Sequence, residues 1–397
     1  MKPAYHKTMA ACFIGYIVQA VVNNFVPLLF VTFRNSYRIS LSQITLLVTV
    51  NFSIQLCVDV FSAWFVDKIG YRLSAVLAHF FAAAGLIFLT FLPDCTSNPF
   101  VGILISIAFY AVGGGLIEVI VSPMVEACPT PNKETTMSFL HSFYCWGYMA
   151  VVLLSTIFFA VFSLENWRIL ALLWALLPIA NGILFCRVPI YQLNGESQEG
   201  IPFSGLFRIK EFWFFFIMML CAGASEVAVS QWASTFAEEG LGVSKAVGDL
   251  AGPMAFAALM GGSRLIFGKA GGKINLDRFM EFSCLLCVAS YLVVSLIPNP
   301  ALGLIGCGVC GFSVGIMWPG TFSKAAVAIR GGGTALFAML AFAGDVGCTL
   351  GPTLAGMVSS LCGNNLRAGI FSAACFPLVL FLCLMAVRVR RKFGKNG

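Results

Sequence analysis

Charge is what this sequence has least of. Of 397 residues only 10% are Asp, Glu, Lys or Arg, against about a quarter in an ordinary soluble domain. With 59% of the chain hydrophobic, too little polar surface remains to cover a water-soluble particle of this size. A soluble enzyme, a disordered chain and a nucleic-acid binder are excluded on that ground. Histidine is scarcer still: there are three, none paired at ligand spacing within one apolar run. Metal or haem chemistry therefore finds no ligand set, and neither a metal nor a cofactor is expected. Cysteine is plentiful at 15, but an odd number lying mostly inside apolar runs is no disulfide framework of a small secreted domain. Cys284/Cys287 and Cys307/Cys310 have CxxC spacing without partner histidines and read as small packing residues.

What is present instead is long apolar runs. A membrane helix needs about 20 mainly apolar residues. Segments of that kind fall at 8–33, 41–66, 73–92, 99–125, 135–163 and 166–187, then at 211–239, 245–269, 277–297, 300–326, 333–361 and 368–388. The spacing predicts an all-α, multi-pass membrane protein with twelve transmembrane helices. The first run is long and lacks an Ala-x-Ala-like cleavage pattern after it, so it is expected to stay as span 1. A six-helix bundle is expected over 1–187 and a second over 211–397, which ends in a short basic tail. The polar stretch 188–210, with Gly195, Glu196, Ser197, Gln198, Glu199 and Gly200, reads as the cytoplasmic linker between them.

Orientation follows from where Lys and Arg fall. With an even number of spans both termini share a side, and that side collects 18 basic residues against 5 on the other, with Arg264 inside a span. The termini are therefore expected in the cytoplasm, and the protein in the cytoplasmic (inner) membrane. A faint internal repeat runs at an offset of 200: Gly115 aligns with Gly315 and Gly147 with Gly347.

The loop after span 2 reads Ala63-Trp64-Phe65-Val66-Asp67-Lys68-Ile69-Gly70-Tyr71-Arg72. It resembles the loop 2–3 signature of the major facilitator superfamily, Gly-x-x-x-Asp-(Arg/Lys)-x-Gly-x-(Arg/Lys), with Ala63 for the first glycine. The resemblance implies that fold, two six-helix bundles working by alternating access around a midplane site. It also assigns Asp67, Gly70 and Arg72 to gating. The counterpart Gly262-Ser263-Arg264-Leu265-Ile266-Phe267-Gly268-Lys269 is degenerate, and it lacks the glycine and the preceding strand of a phosphate loop.

Ionisable residues inside spans are costly and seldom incidental. Glu118, Glu226 and Asp345 are candidates for proton coupling, because a carboxyl in a low-dielectric cavity can take up and release a proton near neutral pH. Asp59 and Arg264, nearer the cytoplasmic ends, suit an ion pair or a gate. Asn51, Gln55 and Asp59 share one helix face at i, i+4, i+8, and Gln19 and Asn23 do likewise. Such stripes must face protein or water rather than lipid. With His141, Tyr144, Gln231, Trp232 and Trp318 they form a candidate substrate-binding set, since aromatic faces beside amides and carboxylates suit a sugar.

Glu118-Val119-Ile120-Val121-Ser122-Pro123 is similar to the Glu-x-x-x-Asn-Pro segment of the fucose:proton symporter family, with serine for asparagine. Leu140-His141-Ser142-Phe143-Tyr144 resembles that family's span 5 opening, and Glu226 to Trp232 with Gly262-Ser263-Arg264-Leu265 its spans 7 and 8. The resemblance implies a small-molecule substrate and protons as coupling ion, with Glu118 in proton coupling and sugar recognition. The family's span 1 acid falls near Asn23 or Asn24, which cannot titrate, so Glu226 is a candidate for the missing role. The expectation is a secondary transporter, not an enzyme, working as a monomer in the lipid bilayer without nucleic acid. Export of amphipathic compounds and a non-transporting sensor stay open as alternatives.

Overall fold

The computed structural model describes residues 5–191, 201, 203–231, 233, 242, 245–271, 273–363 and 365–393. Among the described residues there is no strand. Among the same residues, twelve helical segments are long and apolar enough to cross a membrane. Spans 1 to 6 are Tyr5–Leu29, Ser42–Ile69, Tyr71–Leu89, Pro99–Ala127, Lys133–Phe162 and Leu164–Arg187. Spans 7 to 12 are Lys210–Ser230, Leu250–Ala270, Leu276–Leu296, Ala301–Ala328, Gly333–Leu361 and Leu366–Ala386.

Local chemistry sets where several of them start. Ser40 opens the span 2 helix with a reciprocal cap, its hydroxyl accepting from the Gln43 N–H and the Gln43 side chain from the Ser40 N–H. This satisfies two donors that a helix start leaves free. Asn98-Pro99 and Asn299-Pro300 open spans 4 and 10 alike: the asparagine accepts from the first amides, while proline stands where no N–H is needed. Gly70, at φ +83°, lets spans 2 and 3 follow each other directly, and its N–H still bonds the Val66 carbonyl.

Contacts divide the chain into two compact units. One comprises Met1–Thr130, Phe143–Phe203 and Gly333–Ala338; the other comprises Pro131–Ser142, Ser204–Gly332 and Met339–Gly397. Two short segments, the first residues of span 5 and of span 11, thus pack apart from the rest of their helices.

The glycines at offset 200 make matching contacts in the two units. A Cβ on Gly115 of span 4 would lie 3.2 Å from the Gln55 Cα of span 2, and one on Gly315 of span 10 would lie 2.7 Å from the Met260 carbonyl of span 8. On Gly147 of span 5 it would lie 3.0 Å from the Ala20 Cβ of span 1. On Gly347 of span 11 it would fall on the Leu220 carbonyl of span 7. Small residues let membrane helices approach closely enough for dispersion to hold them, and the same helix pairs use them twice.

In the first unit, Tyr37, Asp94 and Arg168 close a triangle at the end away from Gly70. Arg168 donates to the Asp94 carboxylate at 2.6 Å and to the Tyr37 hydroxyl at 2.8 Å, and that hydroxyl donates to Asp94 at 3.0 Å. Burial pushes the Tyr37 phenol above its usual pKa, against the opposing pull of Arg168, so it keeps the proton it donates. In the second unit, the Tyr291 hydroxyl donates to the Ser225 carbonyl at 2.8 Å. The Cys287 and Cys310 sulfurs are 4.0 Å apart and fully buried. They are packed thiols, as the spacing within apolar helices implies.

Candidate functional site

In the first unit, the polar stripes of spans 1, 2 and 4 meet. Gln19 is buried, and its Nε2 donates to the Glu118 carboxylate at 2.5 Å. One turn further along span 1, Asn23 accepts from the Gln55 Nε2 at 2.8 Å. One turn beyond Glu118, Ser122 meets the Tyr16 hydroxyl at 2.9 Å. Asn51 and Asp59 continue the Gln55 stripe along span 2, both buried. The amide oxygens of Gln19 and Asn51 are buried without a hydrogen-bond partner among the described residues. Buried acceptors of that kind are costly unless something donates to them. This wall can hold hydroxyl groups, with a carboxylate in its middle. Tyr144, on span 5, is half-buried.

In the second unit, Arg264 of span 8 is the centre. Its side chain is buried, with Nε donating to the Gly315 carbonyl at 2.8 Å and Nη1 to the His141 carbonyl at 3.1 Å. Its Nη2 stands 3.7 Å from the Glu226 carboxylate of span 7. The backbone carbonyl of Arg264 accepts from the Ser138 hydroxyl at 2.8 Å. The His141 ring stacks on Phe322, whose centroid is 5.7 Å away, and Phe322 meets Trp318 edge-on. Trp318 packs against Gly344, where any Cβ would strike its ring. It thereby covers the residue before Asp345, which is half-buried and whose carbonyl accepts from Thr349. Gln231 ends the span 7 helix as an exposed residue, and Trp232 lies outside the described residues.

The loop 2–3 residues divide into two environments. Asp67 accepts from the Thr334 hydroxyl, which also bonds the Tyr71 hydroxyl. Arg72 turns to span 6 and donates to the Phe185 and Cys186 carbonyls at 2.9 and 2.7 Å. It occupies the carbonyls that a helix end leaves open. Sequence reasoning missed Gly315, Ser138, Thr334 and Tyr71. A signal existed only for Gly315, through Pro319 four residues on.

Twelve apolar spans lined by embedded amides and carboxylates define a membrane transporter, not an enzyme. The family model of the Major Facilitator Superfamily matches residues 11–352, and the chain belongs to that superfamily. Among curated proteins none matches it in sequence. Among solved structures it is similar to the E. coli fucose:proton symporter, with a TM-score of 0.81 at 15% identity over 96% of this chain and 99% of that one. The proton:xylose symporter bound to 6-bromo-6-deoxy-D-glucose gives 0.77 at 12% identity, over 95% and 94%. The human organic anion transporter gives 0.73 at 15%, over 96% and 100%. At these identities the likeness is one of fold.

Proposed function

We propose that this transporter carries a small polar solute of the sugar class together with protons, by alternating access, across the cytoplasmic membrane. The observation that supports it best is the hydrogen-bonded wall of Gln19, Asn23, Gln55 and Glu118. Its amide oxygens offer acceptors to solute hydroxyls, and its carboxylate is embedded in an apolar span where gaining a proton removes a costly charge. Glu118 is the coupling group in this reading, with Glu226 as the second embedded acid. The fold neighbours that couple fucose or xylose to protons agree with it, and the human organic anion transporter marks the alternative substrate class.

The test is direct. Thermal shift of the purified protein against a panel of monosaccharides selects the solute, which is then followed in proteoliposomes. An inward proton gradient should drive accumulation, and Glu118→Gln should abolish uphill uptake while leaving exchange. Accumulation that ignores the gradient would retire proton coupling. Stabilisation by amphipathic drugs and by no sugar would replace the reading with export.

A further inference from the structure

Span 10 is not one helix. It runs as Pro300–Val314 and Met317–Ala328, with Gly315 and Ile316 in a turn between them. In a continuous helix the Gly315 carbonyl would accept from the N–H four residues on. That residue is Pro319, which has none. The carbonyl left over is buried in an apolar span, where an unsatisfied acceptor is expensive. Arg264 fills it, with its Nε at 2.8 Å. Gly315 makes this approach feasible, since any Cβ would press on the Met260 carbonyl and on Ser263 at 2.9 Å.

The same guanidinium holds two other elements. Its Nη1 donates to the His141 carbonyl in segment 131–142, and its Nη2 faces Glu226. Among the described residues, the charged and titratable groups facing Glu226 are Arg264 from span 8 and the Cys310 thiol from span 10. The His141 imidazole lies against Arg264. Among the described residues, Arg264 is the basic group that faces the Glu226 carboxylate. We propose that Arg264 is the positioning residue of the span 10 break: its guanidinium replaces the amide hydrogen that Pro319 lacks, and Glu226 keeps it there. When Glu226 loses its charge, the buried guanidinium loses the ion pair that holds its Nη2. The break and segment 131–142 then loosen together. This deepens the transport reading by naming a part that responds to an embedded acid.

Hydrogen exchange of the full-length protein in nanodiscs tests it without any substrate, so its failure and that of the transport reading are separable. Arg264→Lys keeps the charge but loses the fork. It should speed exchange by about tenfold in peptides covering 311–322 and 133–142, the scale of one charged hydrogen bond lost in a local opening. Glu226→Gln should raise the same two regions together. The decisive variant is Pro319→Ala, which returns an N–H to the Gly315 carbonyl. In the Pro319→Ala background, Arg264→Lys should leave 311–322 near its wild-type rate while 133–142 stays fast. A general loss of stability would raise both regions in either background and overturns the proposal, as does an unchanged 311–322 in Arg264→Lys. If Arg264→Lys alone fails to fold, recovery of folding in the double variant supports the proposal. Continued misfolding, with Glu226→Gln leaving both regions unchanged, overturns it.

Discussion

A buried polar side chain in a membrane span either finds a partner or costs more than the span can spare, and His79 shows how completely a partner can be found. Its Nδ1 lies 2.7 Å from the Ala75 carbonyl and its Nε2 lies 2.8 Å from the Asn181 amide nitrogen, which also donates to the Ala11 carbonyl at 3.0 Å. The tautomer that satisfies both contacts carries its proton on Nδ1. Spans 1, 3 and 6 are joined at this point by groups buried to within 2% of full. Replacing Asn181 by leucine strands the buried imidazole nitrogen and removes the second bond to the Ala11 carbonyl, at a cost of about 1–3 kcal/mol. The expected outcome is a lower melting temperature of the detergent-solubilised protein; an unchanged one would mean that water or a shifted helix takes the amide's place. Both ring nitrogens are thus taken by the packing, although in the sequence His79 stands alone on its apolar run. Its partner is not legible there, because Asn181 stands 102 residues away.

At the scale of elements, the glycines of spans 5 and 11 offer a graded comparison. Gly147 faces side chain and Cα atoms at 3.0 Å, whereas Gly347 faces the Leu220 carbonyl oxygen directly. A side chain can yield by a few tenths of an ångström; a backbone carbonyl inside a helix cannot do so without moving the helix. Gly347→Ala should therefore destabilise by about 1–3 kcal/mol, the usual range for overpacking, and Gly147→Ala by less. Melting curves of the two variants check the order, and a reversed order would mean that spans 7 and 11 are not held by close approach. The repeat behind this pair is readable as an offset of 200 in the sequence. What it means physically, the same helix pairs in close contact twice, needs the coordinates.

For the whole molecule, the 18-to-5 division of basic residues predicts which loops face the cytoplasm. Native cysteines can report it. Cys95 follows span 3 and Cys362 follows span 11, both exposed, while exposed Cys186 ends span 6. A membrane-impermeant maleimide applied to intact cells should label Cys95 and Cys362, and reach Cys186 only after permeabilisation. Cys57 and Cys375 are exposed too but lie within spans, beyond the reach of a reagent that stays in water. Labelling of Cys186 alone in intact cells would invert the orientation. The number of spans and the helix starts at Ser40, Asn98 and Asn299 were determined by the sequence itself, because hydropathy and capping are sums over neighbouring residues. The membership in a transporter superfamily was legible from the loop at Asp67–Arg72 for the same reason. Which embedded groups meet was decided only by tertiary structure. Gln19 reaches Glu118 across 99 residues, Arg264 reaches Gly315 across 51, and Tyr71 reaches Thr334 across 263. In a span, a polar atom must take whichever partner the packing brings within about 3 Å, and no local pattern encodes that meeting.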